Sequence, residues 1–141
     1  MKYGEIEGLV NKSNYLRDNF KPSVYSIFRR KISHGVGIND SDYMVSQKID
    51  GCYVVCPAYS AWNSMIKRSY NPKIKSKHKT YADVSVCEEW HSFMAFRGWW
   101  VEHQVDGWQL DKDLLTDSKT YSPSTCIFIP QWLNKFTTDH R

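Results

Sequence analysis

No apolar run in this chain approaches the roughly 20 residues that a membrane-spanning helix needs. The opening MKYGEIEGLVNK lacks the apolar stretch of a secretory leader. A soluble, cytoplasmic protein is therefore expected. Internal repeats and low-complexity segments are also missing, which speaks against a repeat architecture. Charge excess is slight: 19 Lys and Arg against 15 Asp and Glu give +4 and a pI near 8.8, too little for charge alone to indicate nucleic acid. Cysteine is scarce, and at 141 residues the chain can bury about two-thirds of its unfolded surface as one domain without a disulfide framework. Without a secretory leader, Cys52, Cys56, Cys87 and Cys126 are weighed for zinc ahead of disulfides. They could close a structural Zn²⁺ site, or they pack as small buried hydrophobes.

What the chain has in quantity is aromatic side chains, 15% of residues with six Trp and nine Tyr. A core built from a few large rings follows, each burying on the order of 150–250 Å². Trp99, Trp100, Trp108 and Trp132 exceed what one helix face can bury, so part of this set is expected to be exposed.

Residues 1–34 read as a basic arm with a short helical segment. Within it Val24, Ile27 and Phe28 recur at helical spacing beside Arg29, Arg30 and Lys31. A Gly-, Asn-, Asp- and Ser-rich loop over 33–45 separates this arm from a second unit, 35–141. There Asp50-Gly51 signals a hairpin turn before the β-prone run Cys52 to Val55. Pro57 suits the first turn of a helix with Trp62, Met65, Ile66 and Ser69 on one face, ended by Asn71-Pro72. A basic loop and a short strand around Val84 and Val86 follow. Glu88 and Glu89 then open a second amphipathic helix carrying Trp90, Phe93, Phe96 or Arg97, and Trp100. Another Asp-Gly turn precedes a strand centred on Leu110. A polar loop, the strand TCIFI and a helix opened by Pro130 complete the chain. The expected fold is α+β: a small mixed domain with two amphipathic helices and a C-terminal strand–loop–strand–helix unit, about 105–138.

That C-terminal plan bears on chemistry. A divalent metal acting on a phosphodiester needs hard oxygen ligands, open positions for water and phosphate, and a nearby base. An aspartate ending one strand and an amide on the following helix can meet across a compact hairpin–helix unit. Asp111 and Asn134 stand at those two places.

The run Leu110-Asp111-Lys112, the segment SPSTCIFIP and Asn134 together resemble the ββα-metal unit of phage-encoded HNH homing endonucleases. CPAYSAWNSMIKRSYNP and TYADVSVCEEWHSFMAF are similar to the segment such proteins carry upstream, so the resemblance spans roughly 35–138. It implies an HNH-like, phage-type DNA-binding protein in a host cytoplasm. It further implies a Mg²⁺-type cofactor held by Asp111 and Asn134, double-stranded DNA as partner, and nuclease (hydrolase) chemistry.

The signature is degenerate. Lys112 stands where the resemblance would put the histidine that deprotonates water, and Thr125 where it would put an asparagine; Asp117 and Ser118 replace an Asn-rich loop. Lysine side chains are ordinarily protonated at neutral pH and act as bases only when desolvated. Asp113 shares a strand face with Asp111, so it either joins the metal or takes the water's proton; otherwise it pairs with Lys112 in solvent. His103 and His140 are further imidazole candidates.

Lys67, Arg68, Lys73, Lys75, Lys77, His78 and Lys79 crowd into 13 residues, a run suited to phosphate contacts or to a solvated loop face. Arg29, Arg30 and Lys31 form a second, smaller patch. Two further readings are a small phage protein that binds a host protein through exposed Trp, and a DNA-binding regulator that has lost cleavage.

Overall fold

The computed structural model describes residues 2–77, 83–112, 114 and 117–139. The first helix, α1, spans Leu9–Asn19. It begins where Gly8 takes a left-handed φ of 90°, and the first amide, Leu9 N–H, donates to Asp106 Oδ1 at 3.0 Å. A carboxylate from 97 residues away thus caps this helix. Leu16 and Ser13 are fully buried against the common core, so the expected arm of 1–34 is not separate from the rest. The polar run hid it, because only one strongly apolar side chain per turn or two faces inward.

A five-residue helix, α2 (Val24–Phe28), is capped by Ser23, whose Oγ accepts from Ser26 N–H. The helical spacing of Val24, Ile27 and Phe28 gives it an apolar side that the core does not cover. Phe28 is 85% exposed. Arg30 is committed to structure: its guanidinium donates to the carbonyls of Asn39, Ser41 and Tyr43 and so pins the following loop.

Strands β1 (Ser46–Ile49) and β2 (Cys52–Val55) form an antiparallel hairpin. Its two turn residues, Asp50 and Gly51, both have positive φ (50° and 82°), which matches the right-handed twist of the flanking strands. Helix α3 (Pro57–Tyr70) buries Trp62, Met65, Ile66 and Ser69 on the face its periodicity predicts. It stops at Asn71, but the chain does not then become a loop. The Asn71 side chain accepts from Lys73 N–H and Ile74 N–H and starts α4 (Pro72–Lys77). An asparagine that ends one helix can cap the next when proline follows at the first helical position.

Only Ser85–Val86 of the expected Val84–Val86 strand is regular; this β3 pairs in parallel with β5 (Thr120–Tyr121). β4 (Trp108–Asp111) pairs antiparallel with β6 (Ile127–Pro130). Glu88–His91 forms a 3₁₀ turn rather than the first turn of the second amphipathic helix. That helix, α5, spans Phe93–His103. Ser92 caps it, and Asp40 adds a second cap from the preceding loop, accepting from Met94 N–H at 2.9 Å. Pro130 ends β6, and the last helix, α6 (Gln131–Asp139), begins one residue later.

Aromatic rings build the core, as expected. Trp62, Trp90, Trp100, Tyr43, Phe93 and Phe96 are essentially inaccessible to water, with Trp62 and Phe93 centred 5.6 Å apart and Trp90 and Phe96 5.0 Å apart. The β4–β6–α6 unit is held on this core through Phe128, which stacks on Trp99 at 5.5 Å. The fold is a small α+β arrangement, with helices and three two-stranded sheets among the described residues.

Candidate functional site

Register sets the chemistry of the β4–β6–α6 unit. Leu110 pairs with Phe128 and Asp111 with Ile127. Because strand side chains alternate, Leu110 lies on the core side while Gln109 and Asp111 share the other face. On that face α6 presents Asn134, whose Nδ2 donates a short hydrogen bond to Gln109 Oε1. Asp111 is 6% exposed, and its Oδ2 accepts from Leu114 N–H at 2.7 Å, closing the turn that leaves the strand. The expected pair, Asp111 and Asn134, therefore belongs to one face of the hairpin. Gln109 is an additional polar member that sequence reasoning missed; its two-residue spacing from Asp111 is the signal that could have found it.

Lys112 turns elsewhere. It is 7% exposed, with Nζ 5.6 Å from the centroid of the Tyr121 ring. The Arg68 guanidinium lies 5.9 Å from the same centroid. Two cations from distant segments thus gather on one aromatic ring immediately after Asp111. Cys126 lies against this cluster, and burial pushes its thiol up to about 11. Asp113 and His140 lie outside the described residues. His103 stacks on Trp99 at 4.6 Å and its Nδ1 is 2.7 Å from the Trp99 carbonyl oxygen. Thr125 braces the loop: its Oγ1 donates to the Thr120 carbonyl and accepts from Ser122 N–H. Ser118 accepts from Thr120 N–H, and Asp117 is exposed.

The hard oxygens of Asp111 and Asn134 fit a Mg²⁺-type ion, which commonly takes one or two carboxylates and keeps several waters. Among the described residues no three His, Cys, Asp or Glu side chains are gathered for a metal, although all four cysteines are described. Cys56 sits in the core, 3.1 Å from Tyr43 Oη and 3.2 Å from Ser13 Oγ, while Cys52 is exposed on the hairpin and Cys87 precedes the 3₁₀ turn. The four cysteines occupy separate places in the fold.

Basic residues divide into two kinds. Lys67, Lys73 and Lys77 are exposed at the corner where α3 meets α4. Lys75 is half-buried with Nζ 5.7 Å from the Tyr70 ring centroid, and Arg68 faces inward. Lys79 and His78 lie outside the described residues. Tyr70 fastens this corner to β3, accepting from Val86 N–H at 2.9 Å, and β3 in turn pairs with the strand that carries Tyr121. The lysine corner is thereby tied to the ring on which Lys112 and Arg68 meet. The second patch is weaker, since Arg30 is bonded to carbonyls and Arg29 lies 5.1 Å from the Tyr25 ring centroid. Trp108 and Trp132 are 42% and 70% exposed, whereas Trp100 is buried and Trp99 half-buried.

Comparison of the chain with family models, with curated proteins and with solved structures returns no match.

Proposed function

We propose that the protein binds double-stranded DNA and hydrolyses a phosphodiester in it, with Asp111 and Asn134 holding a divalent cation of the Mg²⁺ type. The observation that carries this reading is the shared face of the β4–β6–α6 unit: a nearly buried carboxylate ends the strand, and an amide from the packed helix bonds Gln109, two residues before it on the same face. The bound ion would supply charge stabilisation to the phosphate and leaving oxygens. Gln109 orients the Asn134 amide, and the Leu114 amide holds Asp111 Oδ2. Lys112, folded onto Tyr121, supplies positive charge beside the site rather than a base. Lys67, Lys73 and Lys77 contact flanking phosphates.

The binding half of this reading is tested by gel shift of duplex DNA in EDTA at 50 and 200 mM salt. Wild type should lose affinity steeply as salt rises, and the Lys67→Ala/Lys73→Ala/Lys77→Ala variant should bind more weakly with a shallower salt slope. Salt-insensitive binding, or none, would remove the proposal.

A protein partner is the second reading, favoured by one observation: α2 exposes Val24, Tyr25 and Phe28 together. It requires that Asp111→Ala leave partner capture intact.

A further inference from the structure

A cleft of about 350 Å³ lies between α3, α5 and the β4–β6–α6 unit, within the size range of small-ligand pockets. Its floor is apolar, formed by buried Trp100 and Phe128 with half-buried Leu110. Around it stand the amides of Gln104, Gln109 and Asn134 and the part-exposed indole of Trp108. Among the described residues only one charged side chain lines the cleft, Arg68, and no carboxylate does.

Arg68 is the member that needs explaining. Its Nε is shut off from water and has no acceptor. Its guanidinium lies against the Tyr121 ring, 5.9 Å from the centroid. An Nε–H so placed has left water without regaining its hydrogen bond, while the half-buried guanidinium stays open to an anion that would supply one. Planar apolar walls, amides able to pair with a heterocycle edge and a single cation for an anionic group describe a nucleotide.

We propose that this cleft binds one nucleotide unit, its phosphate on Arg68 and its base on the apolar floor beside Trp108, with the base edge read by the Gln104 and Gln109 amides. The proposal deepens the DNA reading and rests on it for the source of the nucleotide: Gln109 and Asn134 belong both to the cleft and to the Asp111 face, so a base taken up here leaves its phosphodiester next to the candidate cation site.

The test is calorimetric titration, in EDTA, of the four deoxynucleoside 5′-monophosphates, with deoxyadenosine and inorganic phosphate as partial ligands. Wild type should bind at least one monophosphate at one site, and deoxyadenosine and phosphate should each bind at least tenfold more weakly. Arg68→Ala should weaken the monophosphate at least tenfold. Ser64→Trp, which fills the cleft from a solvent-facing position of α3, should abolish binding while its thermal melt matches wild type. An oligonucleotide that displaces the monophosphate identifies a DNA strand as the source; failure to compete identifies the free nucleotide. No monophosphate binding, or equal binding by wild type and Ser64→Trp, overturns the pocket. The two ideas separate cleanly, because a protein that shifts and nicks duplex DNA but ignores monophosphates lacks only the pocket, and one that binds monophosphates but not duplex lacks the DNA role.

Discussion

Replacing Gly37 by alanine drives a methyl group into the indole of Trp62. A Cβ at position 37 would lie 2.7 Å from Trp62 Cη2, 2.8 Å from Cζ2 and 3.2 Å from Ser33 Cβ. Carbon atoms pack best at about 3.5–4.0 Å, so the overlap is about 1 Å. Neither side can yield easily. Trp62 is fully buried, with Nε1 donating to the Trp90 carbonyl at 2.7 Å, and Gly37 is tied to Ser33 through both of its backbone groups at 2.8 and 2.9 Å. Overpacking of this kind costs about 1–3 kcal/mol. Gly37 is not in the left-handed region, so alanine recovers about 0.4–1 kcal/mol by restricting the unfolded chain. The net loss should be about 1 kcal/mol, read as a lower urea midpoint with unchanged slope by far-UV circular dichroism. Trp62→Phe removes the clashing edge. In that background the alanine should stabilise by about 0.4–1 kcal/mol, a coupling of about 2 kcal/mol. A Gly37→Ala protein within about 0.5 kcal/mol of wild type, or a double variant whose losses simply add, would refute the packing argument.

Three further outcomes follow from buried polar groups. Arg97 is 6% exposed and donates to Ser13 Oγ at 3.0 Å and Asn14 Oδ1 at 2.7 Å, so Arg97→Ala should lose about 3 kcal/mol in urea melts through the two bonds and the space left behind. Stability should fall on the alkaline side. An unfolded thiol ionises near pH 8.5, whereas buried Cys126 holds its proton to about 11; between these values the unfolded chain has lost a proton that the folded chain keeps, which costs about 3 kcal/mol by pH 11. Burial raises the Tyr43 hydroxyl and the Cys87 thiol in the same direction. Cys126→Ala should therefore flatten the decline in urea midpoint between pH 8.5 and 11, and an unchanged slope would discount this thiol. Finally, a disulfide exchange reagent should titrate Cys52 rapidly in the native protein and all four cysteines after denaturation, with no zinc released. Protection of all four thiols together would restore the zinc idea.

The parts of the fold legible in the sequence are those where local signals agree. Asp50-Gly51, the proline at the start of α3 and the spacing of Trp62, Met65, Ile66 and Ser69 all point one way, and the structure follows. The C-terminal strand–loop–strand–helix order was legible for the same reason, with turn residues at Asp106-Gly107 and β-prone runs on either side. Elsewhere tertiary contacts decide. Nothing in LVNKSNYLRDN announces that Asp106 will cap it or that Leu16 will be fully buried. The α5 boundary moved from Glu88 to Phe93 because Asp40, 54 residues from the Met94 amide it accepts from, supplies a cap at that point. The short parallel pairing of β3 with β5 joins two-residue strands too brief for any periodicity. Within the candidate site, Asp111 and Asn134 were legible as residue types at a spacing. Gln109 was not, and Arg68 was singled out only as part of a basic run, since their places depend on which face of β4 meets α6 and which side of α3 meets Tyr121. The four cysteines show the opposite case, a sequence pattern that the fold disperses.

The most direct test of the account is relaxation of supercoiled plasmid by wild type and Asp111→Asn, each in Mg²⁺, Mn²⁺ and EDTA. The asparagine keeps an acceptor for Leu114 N–H, so the variant should fold and bind DNA as wild type does. Nicking by wild type that needs the cation, and falls at least a hundredfold in Asp111→Asn, is the result the account predicts. Nicking that survives in the variant, or a wild type that binds DNA yet leaves the plasmid supercoiled with every cation, would contradict it.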